Sequence, residues 1–468
     1  MTASGMLTSL VVARWSVTET LMLLVLGAAI LLGGSPNAPG WRLALILLLA
    51  SLLLAWSLGR GGWTAFRQLP GLTQLFLICV PLLWILHLVP LPPAVWAMLP
   101  GRELPARIFE LIGTSGHFHP LSVMPRHTLF GLVTLLPAMA LFVAALTLDQ
   151  RGRNRMVAGF LVLAALSILV GLVQLTSNGA VFNFYDTAHR RNMLGFFANR
   201  NHQGLLLAMT GVFAAVFIRA IIRDNRAALA SSALVSLVLI TAAVGTLSRA
   251  GLALSLLGLL LIHLIIYSGG LSRARYALIG IAALVVIGVL YGISLNPVVE
   301  QAITRYGDVA EDGRWEVWQM SMPLIGQYFP WGSGMGTYAE SYRVIERLDD
   351  VDTSYLNHFH NDYLELLAEA GLPGVVLLAL FGLVAAQRLA ALRKAGWGAG
   401  TYALPSALAI GLTGLHSIVD YPLRTQALAV LFGLFLAFFF GSQRASPDVF
   451  TTGRYRSGPA HKQHRGER

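Results

Sequence analysis

Apolar residues recur along this chain in separate runs of about 20, the length a helix needs to cross the hydrocarbon core of a bilayer. Twelve stretches fit that pattern, at residues 18–34, 41–58, 71–90, 128–148, 156–176, 204–222, 227–246, 250–267, 276–293, 372–387, 401–418 and 423–440. The first ends in Gly33-Gly34-Ser35-Pro36 and is soon followed by the second, which predicts a retained helix rather than a cleaved signal. Leu372-Pro373-Gly374 suits a helix start, because proline is tolerated in the first turn. The pattern predicts an all-α polytopic membrane protein of about twelve transmembrane helices, without an internal repeat.

The polar stretches between the runs are unequal. Residues 91–127 carry Pro92, Pro93, Pro100, Pro105, Pro120 and Pro125, with Trp96 and Phe118 among them, and predict a surface-lying, partly irregular segment. Residues 294–371, between the ninth and tenth runs, hold thirteen of the 22 acidic residues, from Glu300 to Glu369, so they read as a large water-exposed loop with short helices of its own. From Gly441 the chain is polar, basic and Gly/Ser/Pro-containing, and is expected to be disordered. Three parts follow: residues 1–155 with the first four helices and the loop 91–127; a core at 156–440 containing the loop 294–371; and the tail 441–468.

Charge gives the runs a direction. Numbering the loops alternately, one side holds fourteen Lys and Arg residues, and the tail adds six. The other side has thirteen, but seven lie in its two long loops and only six in short ones. Basic residues in short loops mark the cytoplasmic side, so both termini are expected there and the two long loops outside. With 56% hydrophobic and 12% charged residues, the chain has about half the charged fraction typical of a soluble domain. The net charge of +11 does not point to nucleic acid: only Lys394 and Lys462 are lysines, and most arginines sit in short loops. The single Cys79 excludes an intrachain disulfide and says nothing about compartment.

Polar clusters collect on the predicted outer side, a side set by charge alone. Asn199-Arg200-Asn201-His202 precedes the sixth run, where amides and a planar guanidinium can bind anions and sugar hydroxyls, or simply cap and anchor a helix. Ser248-Arg249 sits in the very short link after the seventh run; an arginine beside apolar spans is costly unless paired or on a pathway. Gly313-Arg314-Trp315 and Pro330-Trp331-Gly332-Ser333-Gly334-Met335-Gly336 lie in the major loop, where Trp315 can stack on a sugar ring and the glycines can serve only a turn. In His358-Phe359-His360-Asn361-Asp362-Tyr363-Leu364-Glu365, continued to Glu369, a helix would set His358, Asp362, Glu365 and Glu369 on one face. A histidine near a carboxylate can act as a general base at neutral pH. Metal binding by His358, His360 and Asp362 and a plain solvated face are the rivals, and the spacing matches no strong metal signature. His416 and Asp420, between the last two runs, can orient a ligand or anchor the interface as a His–Asp pair.

In this order and spacing, over roughly residues 155–440, the motifs resemble the O-antigen ligase and polymerase superfamily of bacterial inner-membrane glycosyltransferases. The resemblance implies an all-helical, GT-C-like fold. It implies a donor glycan on polyprenyl (undecaprenyl) pyrophosphate at the periplasmic face, and a sugar hydroxyl as acceptor on lipid A-core or on a second lipid-linked glycan. By motif, Arg200, Arg249 and Arg314 would hold the pyrophosphate and His360, with His358 adjacent, would activate the acceptor. Asn199, Asn201, His202, Trp315, Asn361, Asp362, Tyr363, Glu365, His416 and Asp420 would support the site or the glycan. No cofactor or metal is implied, and attack opposite the leaving group would invert the anomeric centre. The expected partners are the lipid-linked oligosaccharide, the acceptor, the bilayer and a flippase or chain-length regulator. A polymerase is preferred for the tryptophan-rich loop with its full His-Asn-Asp-Tyr-Leu-Glu run. Ligation to lipid A-core and protein O-oligosaccharyl transfer are the alternatives. A secondary transporter, the rival from another class, predicts repeats and mid-membrane charges; neither is found, and His87 and His263 lie near span ends.

Overall fold

The computed structural model describes residues 14–38, 40–187, 189, 191–222, 224–267, 314–348, 351, 356–395 and 402–441. The expected span 276–293, the first part of the loop 294–371 and the tail from 442 lie outside the described residues. Eight described helices are long and apolar enough to cross a membrane, against the twelve expected, so this is a multi-pass membrane protein. They are α2 (Gly40–Gly59), α4 (Gly71–Leu88), the abutting α7 and α8 (Pro125–Thr134 and Leu136–Leu146), α9 (Gln150–Thr176), α10 (Arg200–Ile221), α11 (Asn225–Gly245), α12 (Arg249–Tyr267) and α15 (Asp362–Ala395). The first and last two expected spans are helical but shorter: α1 (Val17–Leu32), α16 (Ala403–His416) and α17 (Gln426–Phe440). Short helices α3 (Gly62–Arg67), α5 (Pro93–Ala97), α6 (Glu103–Leu111), α13 (Arg314–Tyr328) and α14 (Tyr338–Arg343) complete the described α-helices, and a 3-10 turn spans Pro422–Arg424.

The expected irregular segment 91–127 is more ordered than its prolines suggest. Two-residue strands β1 (Pro90–Leu91) and β2 (His119–Pro120) pair antiparallel, a small departure from the all-α expectation. Trp96 is buried against them and donates its indole N–H to the Pro120 carbonyl at 2.8 Å.

Helix α10 is the axis of the bundle, with 72% of its span buried, because its apolar residues run all round rather than along one stripe. Lipid tails are as apolar as leucine, so close packing rather than hydrophobicity draws such helices together. Gly204 of α10 and Gly251 of α12 supply it: a Cβ on Gly204 would stand 2.7 Å from the Cα of Gly251. Deeper in, Phe213 of α10 stacks on Phe435 of α17 at 4.5 Å, and Phe160 of α9 meets both rings edge-on. Outward faces remain apolar, as with Leu45, Leu48 and Leu52 of α2, all exposed. A buried ion pair, Arg155 to Glu19 at 2.9 Å, ties α9 to α1, and Ser16 caps α1 around the same glutamate.

Helix α15 starts ten residues before the expected span at 372–387 and is broken where that span was to begin. Gly371 has φ +58° and ψ −143°. Pro373 has no N–H, so the Glu369 carbonyl has no helical donor. The glycine-rich loop supplies one instead: Gly334 N–H donates to the Glu369 carbonyl (2.9 Å) and Ser333 N–H to Ala368 (3.0 Å), while Leu372 N–H donates to Pro330 (2.8 Å). The alternating glycines are thus a turn fitted to a helix break, since a Cβ on Gly332 would fall 2.2 Å from the Glu369 carbonyl oxygen.

Candidate active site

Three of the polar clusters, spread over more than 200 residues of the chain, meet at one carboxylate, and a fourth reaches it through Asn201. Asp420, in the link after α16, is fully buried. It accepts hydrogen bonds from Asn199 Nδ2 (3.2 Å), Asn201 Nδ2 (2.8 Å) and Tyr421 N–H (2.9 Å). Three imidazoles face it just outside hydrogen-bond range: His202 Nε2 at 3.7 Å, His416 Nε2 at 3.7 Å and His360 Nδ1 at 3.8 Å. Burial works against ionisation of Asp420, but the surrounding imidazoles hold its carboxyl well below the usual carboxylate range.

Local sequence explains the convergence. Asn199 is the N-cap of α10 and accepts from Asn201 N–H at 2.8 Å, so Arg200 to His202 form the first turn of the central helix. The loop before it is fixed from α9. Gln174 Oε1 accepts from the Leu194 and Gly195 N–H groups, and Ser167 Oγ donates to Gln203 at 2.8 Å. Gly195 has φ +59° there, and a Cβ would meet Ser167 Oγ at 2.0 Å. Ser248 accepts from Gly251 N–H in the first turn of α12 and donates to Asn201 Oδ1 at 2.6 Å. A continuous chain, Ser248 to Asn201 to Asp420, therefore joins three of the predicted motifs.

His358 does not lie on a helix, as the one-face expectation required, and neither does His360. Helix α15 begins at Asp362, and Asn361 Oδ1 caps it by accepting from Tyr363 and Leu364 N–H (3.0 and 3.1 Å). The two histidines occupy the turn before it, where His360 has φ +53°, a conformation that costs a non-glycine residue about 1–3 kcal/mol. His360 is about a quarter exposed (27%), and its Nδ1 has no hydrogen-bond partner. Burial pushes its pKa down to about 4; Arg314 and His358 add to the fall and Asp420 opposes it. Tyr421 touches both histidines: its ring lies 4.2 Å from His358, 4.9 Å from His360 and 5.3 Å from His202. Burial and Asp420 push the Tyr421 phenol up, so it stays neutral.

Asp362, Glu365 and Glu369 do share a face, and that face binds a residue the sequence reading left out of the site. Arg424 lies 2.9 Å from Glu369, 3.2 Å from Glu365 and 3.7 Å from Asp362. Glu365 also accepts from His358 Nδ1 and Phe359 N–H, both at 2.9 Å. Asp362 accepts from Ser417 Oγ (2.8 Å), and Tyr363 donates to the Gly414 carbonyl (2.8 Å). His358 and Asp362 are thus engaged with partners other than one another. The signal for Arg424 was its place four residues after Asp420, but three acids spread over eight positions of another helix gave no sign of their common partner.

The three predicted phosphate-binding arginines sit differently. Arg200 is buried in the first turn of α10; Arg249 is exposed at the first residue of α12, directly after Ser248; Arg314 is half-buried at the start of α13 and acts electrostatically on His360 and His416. Trp315 is exposed and pairs edge-on with Trp318 rather than with the cluster.

Residues 234–379 match the family described as O-antigen ligase. The matched stretch includes Ser248, Arg249, Arg314, His358, His360 and Glu365, and stops short of Asp420 on one side and Asn199 on the other. No curated protein matches the chain.

Proposed function

We propose that this chain, whose residues 234–379 match the family described as O-antigen ligase, is a member of the O-antigen ligase and polymerase superfamily and transfers a glycan from polyprenyl pyrophosphate to a sugar hydroxyl at the periplasmic face of the bacterial inner membrane. The observation that supports it is the convergence on Asp420 of Asn199, Asn201, His202, His360 and His416, with Arg200 one residue from two of the ligating amides. A site of that make-up can hold an anion beside a base. Both termini are then cytoplasmic, and the fold is the GT-C-like one.

In this reading the donor pyrophosphate lies between Arg200, Arg249 and Arg314. The acceptor oxygen attacks the anomeric carbon, the bond from that carbon to the pyrophosphate oxygen breaks, and polyprenyl pyrophosphate leaves. Guanidiniums fixed in advance stabilise the charge that grows on the leaving oxygens. The acceptor proton passes to His360. With Nδ1 turned to Asp420 at 3.8 Å, Nε2 is the ring nitrogen left for the acceptor, and Asp420 stabilises the imidazolium that forms. On its own His360 is a weak base; the charge of a bound pyrophosphate opposes the effect of Arg314 and brings it toward working range. Attack opposite the leaving group inverts the anomeric centre, and no step requires a metal.

The acceptor we favour is a second lipid-linked glycan, because Trp315 and Trp331 are exposed on the segment leading to the site and offer stacking faces to a growing chain. Attachment to lipid A-core is the second reading, favoured by the description of the matched family. A deletion strain separates them. Single units still attached, with chain length lost, mean polymerase; loss of all attachment, with lipid-linked polymer accumulating, means ligase. His360→Ala in the purified protein should abolish transfer and leave donor binding. Full activity of that variant, with His358→Ala dead, would move the base to His358.

A further inference from the structure

A cavity of about 530 Å³ is bounded by the α1–α2 turn, α2, α7, α14, the 357–358 turn and the first turns of α15; His358 lines it, while His360 and Asp420 do not. Its volume is within the roughly 300–1,000 Å³ of ligand sites. Its lining is mixed, with apolar Leu43, Leu47 and Phe130 beside polar side chains. Among the described residues that line it, three carboxylates (Glu340, Glu365 and Glu369) stand against two guanidiniums, Arg343 and Arg424. Both arginines are already paired: Arg343 with Glu340 at 2.9 Å, and Arg424 with Glu369 at 2.9 Å. Arg200, Arg249 and Arg314 do not line it. With its guanidiniums engaged by carboxylates, such a lining offers phosphate less than the arginine cluster does. Carboxylates beside apolar side chains suit sugars, which present hydroxyls at their edges and C–H groups on their faces. His358, held by Glu365 at 2.9 Å with its ring 4.2 Å from that of Tyr421, is the point where this cavity reaches the histidine pair.

We propose that the cavity receives the acceptor glycan, as a hydroxyl-rich saccharide recognised without phosphate, with Glu340 setting its specificity and His358 positioning its inner end. This rests on the glycan-transfer reading and assigns the two substrates to the two histidines, the acceptor to His358 in the cavity and the donor to the cluster where His360 faces Asp420. The donor pyrophosphate takes the arginine side and the acceptor sugar the carboxylate side.

The test is chemical protection of a cavity residue in the full-length protein in nanodiscs. Ala44 lines the cavity; Ala44→Cys in a Cys79→Ala background is labelled with N-ethylmaleimide. The probes are the oligosaccharide freed from the cell's lipid-linked glycans by mild acid, the same glycan still on its lipid pyrophosphate, and inorganic pyrophosphate. The free oligosaccharide should slow labelling about tenfold or more at saturation, and pyrophosphate should leave it unchanged. Glu340→Gln should raise the half-protecting concentration about tenfold, the effect of losing hydrogen bonds to a charged group. Protection by pyrophosphate, protection only by the lipid-linked form, or no protection at all would overturn the proposal. Labelling does not depend on turnover. Protection without any glycan transfer by the same preparation would sink the transfer reading and leave the saccharide site standing; transfer without protection would do the reverse.

Discussion

Replacing Asp420 by asparagine removes one charge from the centre of the site at almost constant volume. Asp420 lies 3.8 Å from His360. At that distance and an effective dielectric near 20, a carboxylate stabilises a protonated imidazole by about 4 kcal/mol, equivalent to about three pKa units. His360 is 27% exposed, so solvent screens part of this. If between half and all of it is felt in the transition state, Asp420→Asn should lower kcat by about 30- to 1,000-fold. Donor KM should stay level or fall, since the lost charge is negative and the pyrophosphate is an anion. An amide at this position also has one acceptor oxygen where the carboxylate has two, so one of the donors from Asn199, Asn201 and Tyr421 loses its match. That costs about 1–3 kcal/mol of stability, which a melting curve in detergent separates from the catalytic loss. The assay is steady-state transfer from a defined lipid-pyrophosphate glycan, run on folded protein only. A kcat within about threefold of wild type would refute the role given to Asp420.

The pH profile carries a sign. A base with a pKa near 4 in the empty enzyme stays neutral on acidification, so kcat/KM should remain flat down to about pH 5. A bound pyrophosphate raises that pKa, so the acid limb of kcat should appear at higher pH than that of kcat/KM. Arg200→Lys keeps the charge but loses the planar fork, and transfer should fall by about 10²-fold in the same assay. Arg424→Gln leaves Glu365 and Glu369, both with side chains 1% exposed, without their cation; stability should drop by about 3–5 kcal/mol in a thermal melt, with partial recovery on adding Glu369→Gln. Gly371→Ala, at φ +58° with a Cβ 2.1 Å from the Pro330 carbonyl oxygen, should lose at least about 2 kcal/mol in the same melt.

Much of the helical framework was legible because hydropathy alone sets where a chain enters lipid. The expected spans that came out shorter than 18 residues, α1, α16 and α17, are those nearest the site's loops or the ion pair at Glu19, where polar partners set the helix end. At the site, single motifs carried residue types but not rank. Asp420 looked like one member of a minor pair; its centrality comes from Asn199 and Asn201, some 220 positions away, and a sequence window cannot hold both. The helical face through Asp362, Glu365 and Glu369 was legible from period alone, whereas His358 was not part of it because Asn361 caps the helix after the histidines. The glycine-rich loop became readable only through the break at Gly371, whose cause, the missing N–H of Pro373, was present in the sequence as a helix-start signal.

The decisive measurement is mass spectrometry of products from purified protein in proteoliposomes, given one defined polyprenyl-pyrophosphate-linked glycan and, in turn, a second lipid-linked glycan and a lipid A-core acceptor. One acceptor should gain the mass of whole donor glycans, with free polyprenyl pyrophosphate appearing in equal amount and neither product formed by His360→Ala. Donor left intact beside both acceptors, by protein shown to be folded, would show that this membrane protein does not perform the transfer proposed for it.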